Sequence, residues 1–318
     1  MRSDINLIAE KCGVSKATVS RVFTGKAGVR DEIKKKVLEA ARNLNYMPKQ
    51  VAAQENIAII VSDLANLNFF SGFYSMIAMG IITEFTRSGY QIKIIGISEA
   101  DTLGGYTKAA ILLTDEKTME ENMGKLKNLS IPMVTINKTC SLAHSICSDH
   151  AQGIELAIAH MVQNGHEKIA IVLDNAKNWA GKERVSGYRK TMEKYKLKPM
   201  SEYDASFHNR SMTETMAILM KSKPSAVIVC GEGLTARFSY AVNLLNIRIP
   251  DDISVISCER YDLSQWLSPP HTTISQNVSE LSTTALELIR DTIAGKSEIP
   301  HMTLLPNQLI IRESVKKI

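Results

Sequence analysis

The sequence predicts an α/β protein in two parts, a three-helix helix-turn-helix headpiece followed by a two-subdomain core of parallel sheets. Three observations carry that reading. Ile5 to Phe23 reads as two short amphipathic helices around a glycine. From Ile57 onward, short continuous apolar runs alternate with helix-length segments, which is the pattern of buried parallel strands joined by crossover helices. The positive charge is also concentrated at the front. Residues 1–50 hold eleven Lys and Arg against five Asp and Glu, and the remainder holds 27 against 28. A polyanion would be drawn to the first segment and hardly at all to the rest.

Within INLIAEKCGVSKATVSRVF, Asn6 is a candidate cap for a first helix carrying Leu7, Ile8 and Ala9. Gly13 permits the turn, and Ser15 caps a second helix. On that helix Thr18, Val19 and Val22 face inward, while Lys16, Ala17, Ser20, Arg21 and Thr24 face outward. A small, polar, basic outer face suits a helix lying in a DNA major groove. A small helical bundle with no nucleic-acid role is the competing reading. The lack of outer apolar residues to bury counts against it. Asp31 to Leu44 predicts a third helix, with Ile33, Val37, Ala41 and Leu44 at helical spacing and Lys34, Lys35 and Lys36 on or beside its outer face. Asn45, Tyr46 and Pro48 end it.

Strands are expected at Ile57–Val61, Gln91–Ile95, Ala109–Leu113, Pro132–Ile136, Lys168–Leu173, Ala226–Cys230 and Ile253–Cys258, with a short one at Ser145–Ser148. Helices are expected at Ser71–Ser88, Glu116–Leu129, Gln152–Asn164, Lys182–Tyr195, Met212–Lys221, Leu234–Leu245 and Val278–Ala294. That is too many strands for one doubly wound sheet, so two sheets and two subdomains follow.

The totals exclude several classes. With 318 residues and 44% hydrophobic content, the chain is long enough for two or three domains and a substantial core. No run of about eighteen apolar residues is present, so no membrane span is expected. Arg2, Asp4, Glu10 and Lys11 interrupt the front where a secretory signal needs an apolar segment, so the expected location is cytoplasmic. The five cysteines are scattered and odd in number, against a disulfide framework. Cys140, His144, Cys147 and His150 fall within eleven residues and form an alternative zinc cluster. Their spacing matches no common zinc module, so no metal is expected. There is no G-x-S-x-G elbow, P-loop or His-Glu-x-x-His. No catalytic residue, enzyme activity or cofactor is expected.

The run GVSKATVSRV, followed by VRDEIKKKVLEAARNLNYMP, resembles the DNA-binding headpiece of the lactose- and galactose-repressor (LacI/GalR) family. The core resembles the sugar-binding periplasmic-binding-protein-like fold used by the same family. The matching segments are NFF at Asn68–Phe70, DHAQG, HMVQNGHEKIAIV, Arg184 three residues before Gly187, IPDDISVIS and SPPHTTISQ. The resemblance implies a ligand-responsive transcription regulator, a repressor. It would bind a pseudo-palindromic double-stranded operator as a homodimer and hold a small effector, a carbohydrate or related metabolite, between its subdomains. The expected division is headpiece 1–48, hinge 49–56, first subdomain 57–145 plus 275–303, and second subdomain 146–274 plus 304–318.

Two departures from the family pattern stand out. Glu55 occupies the place of the hinge leucine that wedges into the minor groove, and the spacer is about six residues shorter than expected. The stretch Ser98 to Lys108 is about ten residues short and has Ala109-Ala110 where the family has Asp-Gly. The helix there should be reduced to a turn around Gly104-Gly105.

The resemblance assigns candidate residues. For DNA they are Ser15, Lys16, Ala17, Thr18, Ser20, Arg21 and Thr24, with Lys49 beyond the third helix. For the ligand they are Arg184, Gln276, Asn137 and Glu259, the last where the family commonly has aspartate. Phe69 and Phe70 could form an aromatic floor or simply pack in the core. Gly231 and Glu232 replace the family's Asn-Asp, which removes one ligand hydrogen bond and suggests a different, bulkier ligand. Trp266 and Leu267 fall in a loop that contributes to the dimer contact. Two other classes compete. One is a solute-binding sensor without operator bending. The other is a nicotinamide enzyme, suggested by GEGLTA, a loose dinucleotide fingerprint.

Overall fold

The structure, a computed structural model, describes residues 5–23, 28–44, 46, 56–63, 72–103, 107–204, 211–231, 233–258, 261–296 and 300–318. The headpiece is α1 (Ile5–Cys12), α2 (Lys16–Phe23) and α3 (Asp31–Asn43). Ile8, Ala9, Val19, Val37 and Ala41 form its buried centre, and the rings of Phe23 and Tyr46 close one side at 5.7 Å. Gly13 takes φ +66° at the turn, a conformation open to glycine at little cost. Ser15 caps α2, its Oγ accepting from Thr18 N at 3.1 Å. Asn6 lies inside α1, so it does not cap it as expected. Hinge positions 49–55, including Glu55, lie outside the described residues, and position 56 belongs to the first strand of the core.

The first lobe holds β1 (Asn56–Val61), α4 (Phe73–Arg87), β2 (Gln91–Gly96), β3 (Thr107–Leu113), α5 (Glu116–Glu121), α6 (Met123–Leu129), β4 (Met133–Ile136) and β5 (His144–Ser148). The second holds α7 (His150–Gln163), β6 (Ile169–Leu173), α8 (Trp179–Lys194), β7 (Tyr203–Asp204), α9 (Met212–Lys221), β8 (Ala226–Cys230), α10 (Leu234–Leu244), β9 (Ser254–Cys258), α11 (Tyr261–Ser264) and β10 (Thr272–Ser275). The chain then returns through α12 (Val278–Ile293) and β11 (Met302–Leu305) to the first lobe, and ends with β12 (Gln308–Ile310) in the second. The sheet orders are β11-β5-β4-β3-β1-β2 and β12-β10-β9-β8-β6-β7. All described pairings are parallel except β10–β12.

Side-chain alternation explains the apolar runs. Ile57, Ile59 and Val61 of β1 pack under α4 and α12, whereas Ala58 and Ile60 enter the cluster on the other face. In β8, Ala226, Ile228 and Cys230 face α7 and α8, and Val227 and Val229 face α9 and α10. Both faces are covered, so no residue of these strands can be polar without an internal partner.

Other features also differ from expectation. The 116–129 helix is split at Asn122, which closes α5 and opens α6. A 3₁₀ turn spans Ile97–Thr102, just before the expected turn. Gly104 and Gly105 themselves lie outside the described residues. The expected boundary at 145/146 would cut β5, whose residues pair with β4 and β11 in the first sheet. The crossing falls after Ser148.

The crossings are stitched by polar side chains. Asp149 caps α7 through Gln152 N at 2.9 Å, and its carbonyl accepts from Asn307 Nδ2 at 2.6 Å. Asn307 N donates to Gln152 Oε1 at 3.0 Å. Each buried amide so paired avoids a desolvation cost of about 1–3 kcal/mol.

His271 enters β10 from a buried pocket, 2.8 Å from Ser257 Oγ. Burial, with Arg312 beside it, pulls its pKa from 6.5 down to about 4. Between those values only the unfolded chain takes the proton, so stability falls as pH drops through that window, by up to about 3 kcal/mol. Urea unfolding of wild type and His271→Asn at pH 7.5 and 4.5 checks this. The variant should lose part of the acid sensitivity. His144, His150, His160 and His166, also held below their usual range chiefly by burial, act in the same direction.

Candidate functional site

On the headpiece, α2 presents Lys16, Ala17, Ser20 and Arg21 to solvent, with Thr18 half-buried and Val19 inside. Ser15 is exposed and committed to the cap, its Oγ also 2.9 Å from Thr18 Oγ1. The exposed surface is small and cationic, with no large apolar side chain. A narrow, charged, rod-shaped surface of this kind fits the width of a major groove.

The second candidate region lies between the lobes, at the carboxyl ends of the strands. It is a cleft of about 650 Å³. The first lobe contributes Tyr74, Asp115, Glu116, Asn137 and Lys138; the second contributes Asp174, Asn178, Arg184, Gly231, Cys258 and Gln276. Carboxyl ends of parallel strands collect such groups because each strand hands over to a loop or helix there.

Arg184 extends from α8 and acts electrostatically on both His150 and Cys230. His150 is 5% exposed, and its Nε2 has no partner among the described residues, although its ring lines the cleft. Burial first, and then the Arg184 charge, hold the imidazole well below its usual pKa, hence neutral. A neutral imidazole with a free nitrogen offers one donor or acceptor to whatever enters. Trp179 stands beside it, ring centres 5.5 Å apart.

Asp174 follows β6 and occupies the space over Gly231. Gly231 has φ +153°, and a Cβ there would lie 2.4 Å from Asp174 Cγ and 2.5 Å from Asp174 Cβ. The volume that an asparagine side chain would use is therefore filled by a carboxylate. Gly231 does not open extra room for a bulkier ligand, as the sequence suggested; it makes way for Asp174. Gly231→Ala should cost about 1–3 kcal/mol of stability through backbone strain and overpacking. Thermal unfolding measures it, and an unchanged midpoint would contradict this packing.

Asn137 and Gln276 line the cleft, but much of their hydrogen-bonding capacity braces the crossing. Asn137 adopts φ +52°. Its Oδ1 accepts from Ser148 N at 2.7 Å, and its Nδ2 donates to Gln276 Oε1 at 2.6 Å. The same Gln276 oxygen accepts from Ser148 Oγ at 2.8 Å. The lobes also touch directly, Trp179 N donating to Glu116 Oε1 at 2.8 Å. Lys138 is buried against Tyr74, donating to its hydroxyl with Nζ 4.4 Å from the ring centre.

Arg184, Asn137, Gly231 and Gln276 thus meet in one cleft. Phe69, Phe70, Glu232, Glu259, Thr24 and Lys49 lie outside the described residues. Trp266 is 81% exposed and Leu267 half-buried. The four members of the alternative metal cluster have separate surroundings. His144 meets His301, Nδ1 to Nδ1 3.0 Å, and Cys147 donates to the Lys138 carbonyl. Cys140 packs in the first lobe, and His150 lines the cleft. Among the described residues no group of three or more His, Cys, Asp or Glu is placed to hold a metal ion. Sequence reasoning missed Asp174, His150 as a cleft group, Tyr74 and Lys138. A carboxylate directly after a buried strand was the available signal for Asp174.

A basic helix-turn-helix headpiece joined to a two-lobed α/β core with a polar cleft defines a ligand-responsive DNA-binding regulator. The family model described as bacterial regulatory proteins, lacI family, matches residues 4–49, and the periplasmic binding protein-like domain matches residues 158–315. The chain thus carries a lacI-family helix-turn-helix domain followed by a periplasmic-binding-protein-like domain. The HTH-type transcriptional repressor PurR of Vibrio vulnificus is 28% identical over 332 residues, 98% of each chain. The ribose operon repressor of Haemophilus influenzae is 26% identical over 342 residues, 97% of each. Among solved structures, a lac repressor dimer bound to operator and the anti-inducer ONPF superposes with TM-score 0.69 at 22% identity, covering 99% of this chain and 100% of that one. Lactococcus lactis CcpA gives TM-score 0.71 at 15% identity, over 83% and 100%.

Proposed function

We propose that this regulator is a repressor that binds a pseudo-palindromic operator as a homodimer through α2, and that a small polyhydroxylated metabolite in the interlobe cleft sets its affinity. One observation carries the cleft assignment: the buried, unpartnered Nε2 of His150 lies beside Arg184 in a cavity that already contains a carboxylate. Vicinal hydroxyls both donate and accept. A fork of donors at Arg184, an acceptor at Asp174 and the neutral imidazole of His150, all lining one cleft, complement such a ligand. The solved relatives with bound ribose, cellobiose and D-xylulofuranose support this class. They share the fold at 18–22% identity and do not identify this chain's ligand.

The chemistry of the GEGLTA turn disfavours a dinucleotide. Asp174 packs against Gly231, so a pyrophosphate there would meet a carboxylate rather than open backbone amides. The chain acts by binding, not by turnover, and works where DNA is, in the cytoplasm. No described helix is long and apolar enough to cross a membrane.

Two copies are needed because one α2 reads only a few base pairs. Trp266, with Tyr240 and Leu244 on α10, forms the proposed contact in the second lobe; all three are exposed. The α10 helix borders the end of the Trp266 loop, Phe238 lying 6.4 Å from His271. Met79 on α4 and Ile94 on β2 supply exposed apolar area in the first lobe. Closure or opening of the lobes would change the spacing of the paired headpieces, which makes effector and DNA affinities reciprocal. Selection from random duplexes by the full-length protein tests the assignment. A two-fold symmetric motif should be enriched, and recovery of unenriched sequence would refute it.

A further inference from the structure

We infer that Cys230 and Cys258 form a reversible redox pair at the floor of the effector cleft, a modification site in which hydrogen peroxide or a related hydroperoxide converts the dithiol to a disulfide. The two residues end adjacent parallel strands and are direct register partners, Cys230 opposite Cys258. Paired residues on neighbouring strands direct their side chains to the same face, and both thiols belong to the cluster under α7 and α8. Neighbouring strands run about 4.8 Å apart, inside the Cα separation a disulfide spans. Both are free thiols.

The two positions are unequal, which sets the order of events. Cys258 is half-buried and lines the cleft, where a small oxidant can reach it. Cys230 is fully buried behind it. Burial and the neighbouring Cys258 push the Cys230 thiol up, while Arg184 opposes them. Cys230 therefore rests as the protonated partner, and Cys258 is the thiol that meets peroxide first.

The steps balance. The Cys258 thiolate attacks one peroxide oxygen, the O–O bond breaks, and the departing hydroxide leaves as water with the thiol's proton. Cys258 is then a sulfenic acid. The Cys230 sulfur attacks the Cys258 sulfur, the S–O bond breaks, and hydroxide carries off the Cys230 proton as a second water. Two thiols lose two electrons and one peroxide becomes two waters. A dithiol reductant reverses the bond by exchange.

The consequence for regulation rests on the reading of the cleft as the effector site. Asp174 N donates to the Cys230 carbonyl at 3.1 Å, and Gly231 follows directly under the Asp174 carboxylate. Tying Cys230 to Cys258 shifts that strand end and withdraws the Cys258 sulfur from the cleft wall. Oxidation thus reports on the same lobe that the metabolite reports on.

The test uses full-length reduced protein treated with stoichiometric hydrogen peroxide, alkylated under denaturing conditions and mapped as unreduced peptides. A Cys230–Cys258 peptide pair should dominate and disappear on dithiothreitol treatment, with Cys12, Cys140 and Cys147 alkylated. Cys258→Ser should abolish the link and leave Cys230 alkylated. Two free thiols after treatment, a link to any other cysteine, or Cys258 advanced to sulfinic acid without a link would overturn the site. Affinity for the selected operator, measured on linked and reduced protein, should differ about tenfold and revert with dithiothreitol, within the usual range of coupling. A link that forms with unchanged operator affinity would overturn the regulatory role. Link formation itself does not depend on any metabolite, so failure of the effector reading would show separately as no thermal stabilisation by any sugar tested.

Discussion

Replacing Lys16 and Arg21 together by alanine is expected to weaken binding to the selected operator by about 10²–10³-fold. Both residues lie on the exposed face of α2, and neither belongs to the headpiece core formed by Ile8, Ala9, Val19, Val37 and Ala41. The loss would therefore come from the DNA contact, with the fold intact by thermal unfolding. The two singles should separate by type. Lys16 opens the helix and is placed to reach a base edge, so Lys16→Ala should relax sequence preference at one position in each half-site. Arg21, one turn further on, should act on phosphate. Its removal should weaken all sequences alike and lower the salt slope by about 1. Fluorescence anisotropy across a salt series reads both. An unchanged preference in Lys16→Ala would remove Lys16 from the reading face.

Arg184→Ala is expected to abolish the response to effector, with a loss in effector affinity of about 100-fold or more, because truncating one charged partner leaves buried polar groups unsatisfied. Arg184 reaches from α8 toward His150 and Cys230 in the cleft. Operator affinity without effector should be retained, since the headpiece is untouched. Arg184→Lys should fall between wild type and alanine, keeping the charge but losing the planar fork of donors. Effector-dependent release from DNA measures all three proteins. A full response in Arg184→Ala would place the ligand elsewhere.

The sequence showed the parts of the molecule whose cause is local. The parallel strands buried on both faces read as apolar runs, and α9, α10 and α12 read from their periodicity. The strands it missed have causes outside themselves. In β11, burial alternates and Met302 and Leu304 remain exposed; the strand exists because β5 offers a free edge. In β10 the polar run Thr272–Ser275 is buried and satisfied by distant groups, Arg312 donating to Thr273 Oγ1 at 2.9 Å and to the His271 carbonyl at 2.6 Å. The cleft divides the same way. Arg184 was legible from its spacing to Gly187. The Asp174–Gly231 contact joins residues far apart in sequence, and neither residue alone announces it. Asn137 shows the reverse case. It was read as a ligand contact, and its amide is engaged by Ser148 and Gln276 at the crossing.

The central claim is that one chain couples the cleft to the DNA-reading helix, and reciprocal linkage tests it most directly. The sugar giving the largest thermal stabilisation among ribose, xylulose and cellobiose is titrated into full-length protein with and without saturating operator duplex. Operator affinity is then measured with and without saturating sugar. The account predicts that both comparisons change by the same factor, about 5–150-fold. Equal sugar affinities in the presence and absence of operator would mean that the cleft and the headpiece work independently, and would contradict it.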